Sequence, residues 1–563
     1  MVLCNKIDYV ERMKELIEDD TKFTDLNKSS DDWLSYILNS EKRVRSVLFK
    51  YCETNKKCVS YIFSEKVYNS IASTGTKPGI LYGLPKIHKS LVNNLPKFRP
   101  IISMTGTPTY KLSKFLVPII DPITRNEYTV KDSFTFAKEV VEFDSTLHMS
   151  SLDITSLFTN IPLNETTNII CDELFKNTQV IKGMNKSVFR ELLVMALDET
   201  CFVFDGKLYK QCDGVSMGSP LGPSYANAFL SKHEKEWLDE CPESIKPLQY
   251  KRYVDDIFLL CRDEEHHKLF MDYMNTRHES IAFTDEVEDS NTMYFLDVAV
   301  TRSAESFVTN VYRKKTFSGV FTNFYSFISI QFKASLISTL LYRCFHLSST
   351  TELFHREVEN LRGILRKNSY PSEFIDQCVA SFLNKIYKAP VPKVEKQTIT
   401  VMLPFLGKLS LEIRNRLRKY AKKYAKDCEL NVIFRSERRL KRLFRFKDML
   451  PQCFQSCVLY RFTCRTCNSS YVGKTARHCH VRWCEHLKTT PITRQPSKSS
   501  SESTAVHEHI LSSNHHASLE DFEIIGHENS RNDFLLRIKE SLVIKKSRPV
   551  LNENVQSIPL QLF

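Results

Sequence analysis

No apolar run in this 563-residue chain is long enough to cross a bilayer, which excludes a membrane-spanning helix. No signal peptide is recognisable. The 17 cysteines are scattered along a long chain, so they are read as reduced thiols and not as the disulfide frame of a small secreted domain. No internal repeat is visible, so the chain is not an array of one unit. What it does have is length for several domains. Its 42% hydrophobic residues and 37 Phe allow large cores, and its net charge is +13. That surplus is concentrated. Residues 391–450 carry 17 Lys and Arg against 6 Asp and Glu, a net +11, which leaves about +2 for everything else.

The chemistry begins at Tyr253-Val254-Asp255-Asp256, flanked by Leu248–Arg252 and Ile257–Cys261. Apolar and β-branched residues on both sides of two acids read as strand, tight turn, strand. By itself Asp-Asp is a common turn pair. A third acid, Asp153, lies between Leu152 and Ile154 at the end of an apolar stretch closed by Pro162. An acid buried there needs a cation or hydrogen-bond donors. Between these acids, Cys212–Phe229 contains Gly214, Gly218 and Gly222 and then Pro223, which reads as a loop making close approaches before a helix start. Carboxylates in such a set can hold two Mg²⁺ about 3.5–4 Å apart, the arrangement that joins a 3′-hydroxyl to a nucleoside triphosphate.

In this order the segments resemble the palm of reverse transcriptases. The resemblance implies that Asp153 and Asp255 are metal ligands with Asp256 assisting, and that Phe158 is the gate against a ribose 2′-hydroxyl. It further implies that Gly218, Ser219 and Pro220 support the base pair and template. Leu81–Lys89 and Phe98–Ser103 resemble a fingers hairpin, in which Lys86 and Arg99 would reach the triphosphate. Phe295–Val298 and Val311–Thr316 resemble the closing palm strands and primer grip. Leu-Tyr-Gly-Leu-Pro-Lys-Ile-His-Lys at 81–89, Ser-Leu-Phe-Thr-Asn-Ile-Pro at 156–162 and Met-Gly-Ser-Pro-Leu-Gly-Pro at 217–223 are similar to Penelope-like retroelement enzymes, relatives of telomerase.

The C-terminal part resembles a GIY-YIG nuclease, with Val458-Leu459-Tyr460 and Tyr471-Val472-Gly473 as its two signature tripeptides. Val458 and Leu459 depart from the pattern in the first. The resemblance implies one Mg²⁺ on Glu540, a phenol network of Tyr460 and Tyr471, and Arg482 neutralising charge on the phosphate. By the same resemblance Lys474, Arg477 and His486 would assist, with Arg477 the rival to Arg482. Asn552 is a structural or substrate-orienting amide. Six cysteines lie between Cys453 and Cys484. Cys464-x2-Cys467 with His509-x5-His515 could make a tetrahedral zinc site, although the histidine spacing is wide and free thiols with exposed histidines would look the same.

The expected fold is an α+β multidomain chain, a right-hand polymerase followed by a basic helical connector and a small α/β nuclease. Residues 1–80 would be a helical part of the fingers region, 81–325 fingers and palm, 326–388 a helical thumb, 389–450 the connector and 451–563 the nuclease with a zinc-binding insert. In the connector, Ile413, Leu417, Tyr420 and Tyr424 recur at helical spacing, with basic residues on the other faces. Such a connector would track phosphates and could carry a nuclear localisation signal. Gln495–Ser503 reads as a flexible polar loop. Family members generally have a longer N-terminal region, and Met1–Tyr9 resembles its middle, so the fingers are expected to be truncated. The expected activity is RNA-directed DNA polymerisation in the nucleus, coupled to DNA nicking for target-primed reverse transcription. It would use an RNA template, a DNA primer or target, deoxynucleoside triphosphates, Mg²⁺ or Mn²⁺, and no membrane. Two alternatives remain: a catalytically silent nucleic-acid-binding protein, and a telomerase-like polymerase without nuclease activity.

Overall fold

The structure, a computed structural model, describes residues 5–55, 61–87, 95–198, 200–388, 397–425, 427–436, 448–491, 503–528 and 532–552. The prolines at 390 and 392, most of the second basic cluster at 435–442 and nearly all of the polar stretch at 495–503 lie outside them, as do Met1–Cys4.

A four-stranded antiparallel sheet occupies the centre, in the order Gln249–Tyr253, Asp256–Cys261, His148–Ile154, Phe283–Val287. The strand after the two acids is apolar at every position, and the pleat sends alternate side chains to opposite faces. Ile257, Leu259 and Cys261 enter a core shared with the helices Leu163–Phe175, Gly222–Asp239 and Glu264–Asn275. Phe258 and Leu260 enter a second core, shared with the three-stranded sheet Thr292–Phe295, Val298–Arg302, Phe307–Val311. A sheet covered on both sides leaves its hairpin tip as the place where polar chemistry can emerge.

The described residues before Gly79 form the helices Lys6–Glu15, Ser30–Lys50 and Glu65–Ile71 and the short strand Phe23–Asp25. That strand edges a five-stranded sheet with Lys207–Gln211, Cys201–Phe204, Gly79–Pro85 and Phe98–Ser103. The sheet therefore draws on segments from both sides of Asp153. After the central region, Ile330–Leu347, Thr351–Lys367 and Ser372–Tyr387 form a three-helix bundle around Ile337, Leu341, Leu361, Leu365 and Ile375. The Thr350 hydroxyl accepts from the Leu353 N–H at 3.2 Å and caps the second helix.

The connector is not all-helical. Gln397–Pro404 and Cys428–Arg435 pair in parallel across the helix Lys408–Tyr424, making a βαβ unit. Its strand sequences, Thr-Ile-Thr-Val-Met-Leu and Leu-Asn-Val-Ile-Phe, are rich in β-branched and aromatic residues. Parallel strands need such a crossover. The basic stretch is helical as expected, but the β-branched and aromatic runs on either side of it form strands.

The C-terminal unit is a three-stranded antiparallel sheet in the order Ser470–His478, Ser456–Thr463, Phe522–His527. The helices Cys479–His486, Ala505–Ser513 and Asp533–Ser547 accompany it. It is docked on the N-terminal sheet. Phe454 is buried with Trp33, Leu34, Ile37, Val203 and Leu208. The Asp205 N–H donates to Asp448 Oδ2 at 2.7 Å, Ser456 Oγ donates to the Gly75 carbonyl at 2.9 Å, and His478 Nε2 meets the Thr76 carbonyl. Phe454→Ala should remove about 3–5 kcal/mol from this shared core. Amide exchange would then rise at Cys201–Phe204 and Ser456–Thr463 and stay unchanged at Asp256–Cys261. Unchanged exchange at Cys201–Phe204 would contradict the shared core.

Candidate active sites in the central sheet and the C-terminal unit

Asp153 and Asp256 face each other directly across neighbouring strands. Tyr253 pairs with Asp256 to close the hairpin, so Val254 and Asp255 form its two-residue turn. Val254 takes φ +58°, a left-handed conformation that a β-branched residue adopts only under constraint, at a cost of about 1–3 kcal/mol. Arg252 supplies the constraint. It is 0% exposed, and its Nη1 donates to the Val254 carbonyl at 3.3 Å and to Asn227 Oδ1 at 3.0 Å. Nη2 donates to Ser231 Oγ at 3.3 Å, and Nε pairs with buried Glu234. Asn227, Ser231 and Glu234 share one face of the helix Gly222–Asp239, so helix and turn are fixed together. Ile154 N–H donates to the Asp255 carbonyl at 3.2 Å, holding the turn beside Asp153.

The electrostatics follow from this placement. Loss of water raises the Asp255 carboxyl above its ordinary range, and the negative charge of Asp153 raises it further, against Arg99 and Lys86. Desolvation, then Asp255 and Asp153, push Asp256 up to about 6, with Lys314 opposing. Crowded carboxylates of this kind favour a proton or a cation among them. The three do not converge on one point as tightly as the cysteine–histidine set below.

Arg99 sits on the strand Phe98–Ser103 opposite Leu84, and Lys86 directly follows the partner strand Gly79–Pro85, its N–H donating to the Lys97 carbonyl at 2.7 Å. Both bring positive charge to Asp255. Phe158 is half-buried in the short helix Leu157–Asn160, and its carbonyl accepts the Val215 N–H at 2.7 Å. Gly218 lies so close to the strand of Arg99 that a Cβ there would fall 1.8 Å from the Ile102 carbonyl oxygen. No other residue fits without moving the loop. Ser219 Oγ accepts the Leu221 N–H at 3.3 Å, and Pro220 leads into the helix that carries Glu234.

In the C-terminal unit, Tyr460 is fully buried on the central strand. Its hydroxyl lies 2.7 Å from His486 Nε2 and accepts from Arg482 Nε at 3.3 Å. Burial lowers His486 to about 3, so it is neutral near pH 7. His486 Nδ1 lies 2.9 Å from Thr504 Oγ1; with Nδ1–H donating there, Nε2 accepts the Tyr460 proton. Burial raises both Tyr460 and Tyr471. Burial also raises Glu540, against Lys474 and Arg482. Gly473 lies across from Tyr460, and a Cβ on it would meet the Tyr460 hydroxyl at 2.6 Å, so only glycine admits the phenol. Val458 and Leu459 are buried core residues of the same strand. Arg477 is exposed and held bidentately by Glu485 at 2.6 and 2.9 Å, whereas Arg482 reaches the phenol and also donates to Glu485 at 2.9 Å. Lys474 is paired with Asp533. Asn552 exchanges two 2.8 Å bonds with the backbone of Val472, a structural tie.

Cys464, Cys467, His509 and His515 converge, with ligand atoms all within 4.8 Å of one another. Cys464 Sγ lies 3.4 Å from His515 Nδ1 and Cys467 Sγ 3.5 Å from His509 Nε2. The cysteines come from the turn between the first two strands, and the histidines from a helix and its left-handed cap at Asn514. Two thiols and two imidazoles so placed fit tetrahedral zinc.

The sequence reading missed Arg252, Glu234 and the Lys474–Asp533 pair. It also missed Glu165, His233 and His278, which cluster behind the sheet. His278 Nδ1 accepts the Ser280 N–H at 3.1 Å, so its Nε2 carries the proton donated to Glu165 and is closed to a metal.

Residues 87–288 match the family described as reverse transcriptase (RNA-dependent DNA polymerase), and residues 320–380 match the animal helix-turn-helix domain. Asp153, the glycine loop and Asp255–Asp256 all fall in the first match, so this region is a reverse transcriptase domain. No curated protein matches the chain. Among solved structures it is similar to telomerase from Candida albicans in complex with a TWJ fragment of telomeric RNA, at 12% identity and TM-score 0.35, covering 55% of this chain and 64% of that one. Apo telomerase from Candida tropicalis gives 14% identity and TM-score 0.35, covering 56% and 59%. A Sicinivirus 3Dpol RNA-dependent RNA polymerase gives 13% and 0.35, covering 64% and 87%. The chain thus spans less than two thirds of the telomerases it is similar to. Superpositions this loose do not bear on activity.

Because His486 is held neutral, the folded C-terminal unit resists its protonation. The stability this contributes is full above the ordinary histidine value of 6.5 and is lost as pH falls toward 3. His486→Gln should lower the melting temperature at pH 7 but make the decline between pH 6.5 and 4 shallower than in the parent. An equal decline in both would contradict the assignment.

Proposed function

We propose that the chain is a retroelement enzyme that copies RNA into DNA, of the Penelope-like type, with a GIY-YIG nuclease at its C-terminal end. The observation that carries the polymerase reading is the opposed pair Asp153 and Asp256, with Asp255 beside them on a constrained turn, inside the reverse transcriptase domain. Their mutual crowding fits a site for divalent cations. Mg²⁺ held by Asp153 and Asp255, with Asp256 assisting, would activate the attacking 3′-hydroxyl and neutralise the departing pyrophosphate. The chain's own groups position the rest. Lys86 and Arg99 hold the triphosphate, Gly218–Pro220 back the template, and Phe158 stands where a 2′-hydroxyl would collide.

In the nuclease reading, Glu540 holds one Mg²⁺, which would polarise the scissile phosphate. Arg482 neutralises the phosphate charge, and the Tyr460 hydroxyl, oriented by neutral His486, works with Tyr471 on the attacking water. The positive charge of Lys474 opposes the rise that burial imposes on Glu540. Zinc on Cys464, Cys467, His509 and His515 would fasten the strand turn to the helix Ala505–Ser513. A nick made here supplies the 3′-hydroxyl that the polymerase extends, which is target-primed reverse transcription and sets its place of action in the nucleus.

Primer extension on RNA and plasmid nicking, measured on one preparation, test both halves. Asp255→Ala should abolish extension at least about a hundredfold while nicking persists, and Glu540→Gln should do the reverse. Extension by Asp255→Ala at the parent rate overturns the polymerase assignment. A parent that extends but never nicks leaves a telomerase-like polymerase as the reading, and one that does neither with any metal leaves a silent binding protein. Elemental analysis should find about one zinc per chain, lost in the Cys464→Ser, Cys467→Ser variant. A parent without zinc overturns that site.

A further inference from the structure

The stripe Ile413, Leu417, Tyr420, Tyr424 divides in two. Ile413 and Leu417 are half-buried on the connector, but Tyr420 and Tyr424 stand 61% and 72% exposed. The two rings lie one helical turn apart, nearly parallel at 16°, with centroids 6.3 Å apart. Lys423 Nζ lies 4.9 Å over the Tyr424 ring, and Arg416 sits one turn before Tyr420 on the same helix. Leaving two large aromatic faces in water has no packing benefit. Placed among cations, they match the way proteins hold unpaired nucleic acid, with bases stacked on rings and phosphates held by charge. Duplex offers only its backbone to such a surface, because its bases are already stacked on one another.

We propose that Tyr420 and Tyr424 form a stacking platform for unpaired RNA, the strand still to be copied. The proposal rests on the polymerase reading for the choice of strand. In copying RNA from a DNA primer, the strand that must be single-stranded is the template beyond the primer end. The connector is also anchored to the polymerase side of the chain. Phe405 packs against Phe327 at a centroid distance of 5.1 Å, just ahead of the three-helix bundle.

The test titrates the full-length chain into a single-stranded RNA oligonucleotide carrying 2-aminopurine, whose fluorescence falls when the base stacks. Parallel titrations use single-stranded DNA and duplex RNA. The parent should quench the probe. Tyr420→Leu, Tyr424→Leu together should abolish the quench and weaken single-stranded RNA binding by about tenfold or more, with duplex RNA changed less than about twofold. Tyr420→Phe, Tyr424→Phe should restore both, which a merely unfolded helix would not allow. Parent-like quench and affinity in the leucine variant overturn the platform. So does an equal loss on single strands and duplex. A loss confined to single-stranded DNA overturns RNA as the occupant. Tyrosine-dependent RNA binding by a chain that cannot extend a primer would remove the polymerase reading and leave the platform in place.

Discussion

Two carboxylates opposed across adjacent strands repel one another, and the central sheet is built to hold Asp153 and Asp256 together despite this. The restraint comes from below. Arg252, wholly buried, is gripped by three side chains of one helix and in turn grips the carbonyl of Val254. A buried charge pair of this kind is costly to break, because either partner alone would be left desolvated. The left-handed turn therefore persists, and Asp255 is presented beside a pair that already favours a cation. Burial, and after it the charge of the neighbouring acids, raises the carboxyls of Asp255 and Asp256.

The second site uses a related device with different groups. A phenol, an imidazole held neutral and a raised carboxyl lie around Arg482, and the phenol fits because position 473 has no side chain. In both sites a glycine sets the tolerance. Gly218 lets the loop close on the strand that carries Arg99, and Gly473 lets the phenol close on its neighbour strand. The two units meet through buried Phe454 and His478 and half-buried Ser456, so they share a core beyond the linking chain.

Much of this was legible in the sequence where local pattern and chemistry coincide. The hairpin at 249–261 follows from apolar residues on both sides of a turn pair. The cysteine pair carries its spacing openly, the histidine pair is wider than usual, and the structure brings all four together. What escaped depends on long-range geometry. Arg252 reads as an ordinary strand residue between Lys251 and Tyr253, and its partner Glu234 as one more charge in a polar helix; only the fold buries them together. The connector's strands were hidden by the charge of the helix between them. Tyr420 and Tyr424 continue an apolar stripe in sequence, but periodicity reports which residues share a face, not whether anything covers it.

We propose that the carboxylates at 153, 255 and 256 hold divalent cations beside the constrained turn. Calorimetric titration of Mn²⁺ into the chain with primer, RNA template and an unreactive nucleotide tests it most directly. The parent should bind two more ions than the Asp153→Asn variant, with the difference absent when the nucleotide is left out or much weakened. Equal numbers of ions in parent and variant would contradict it.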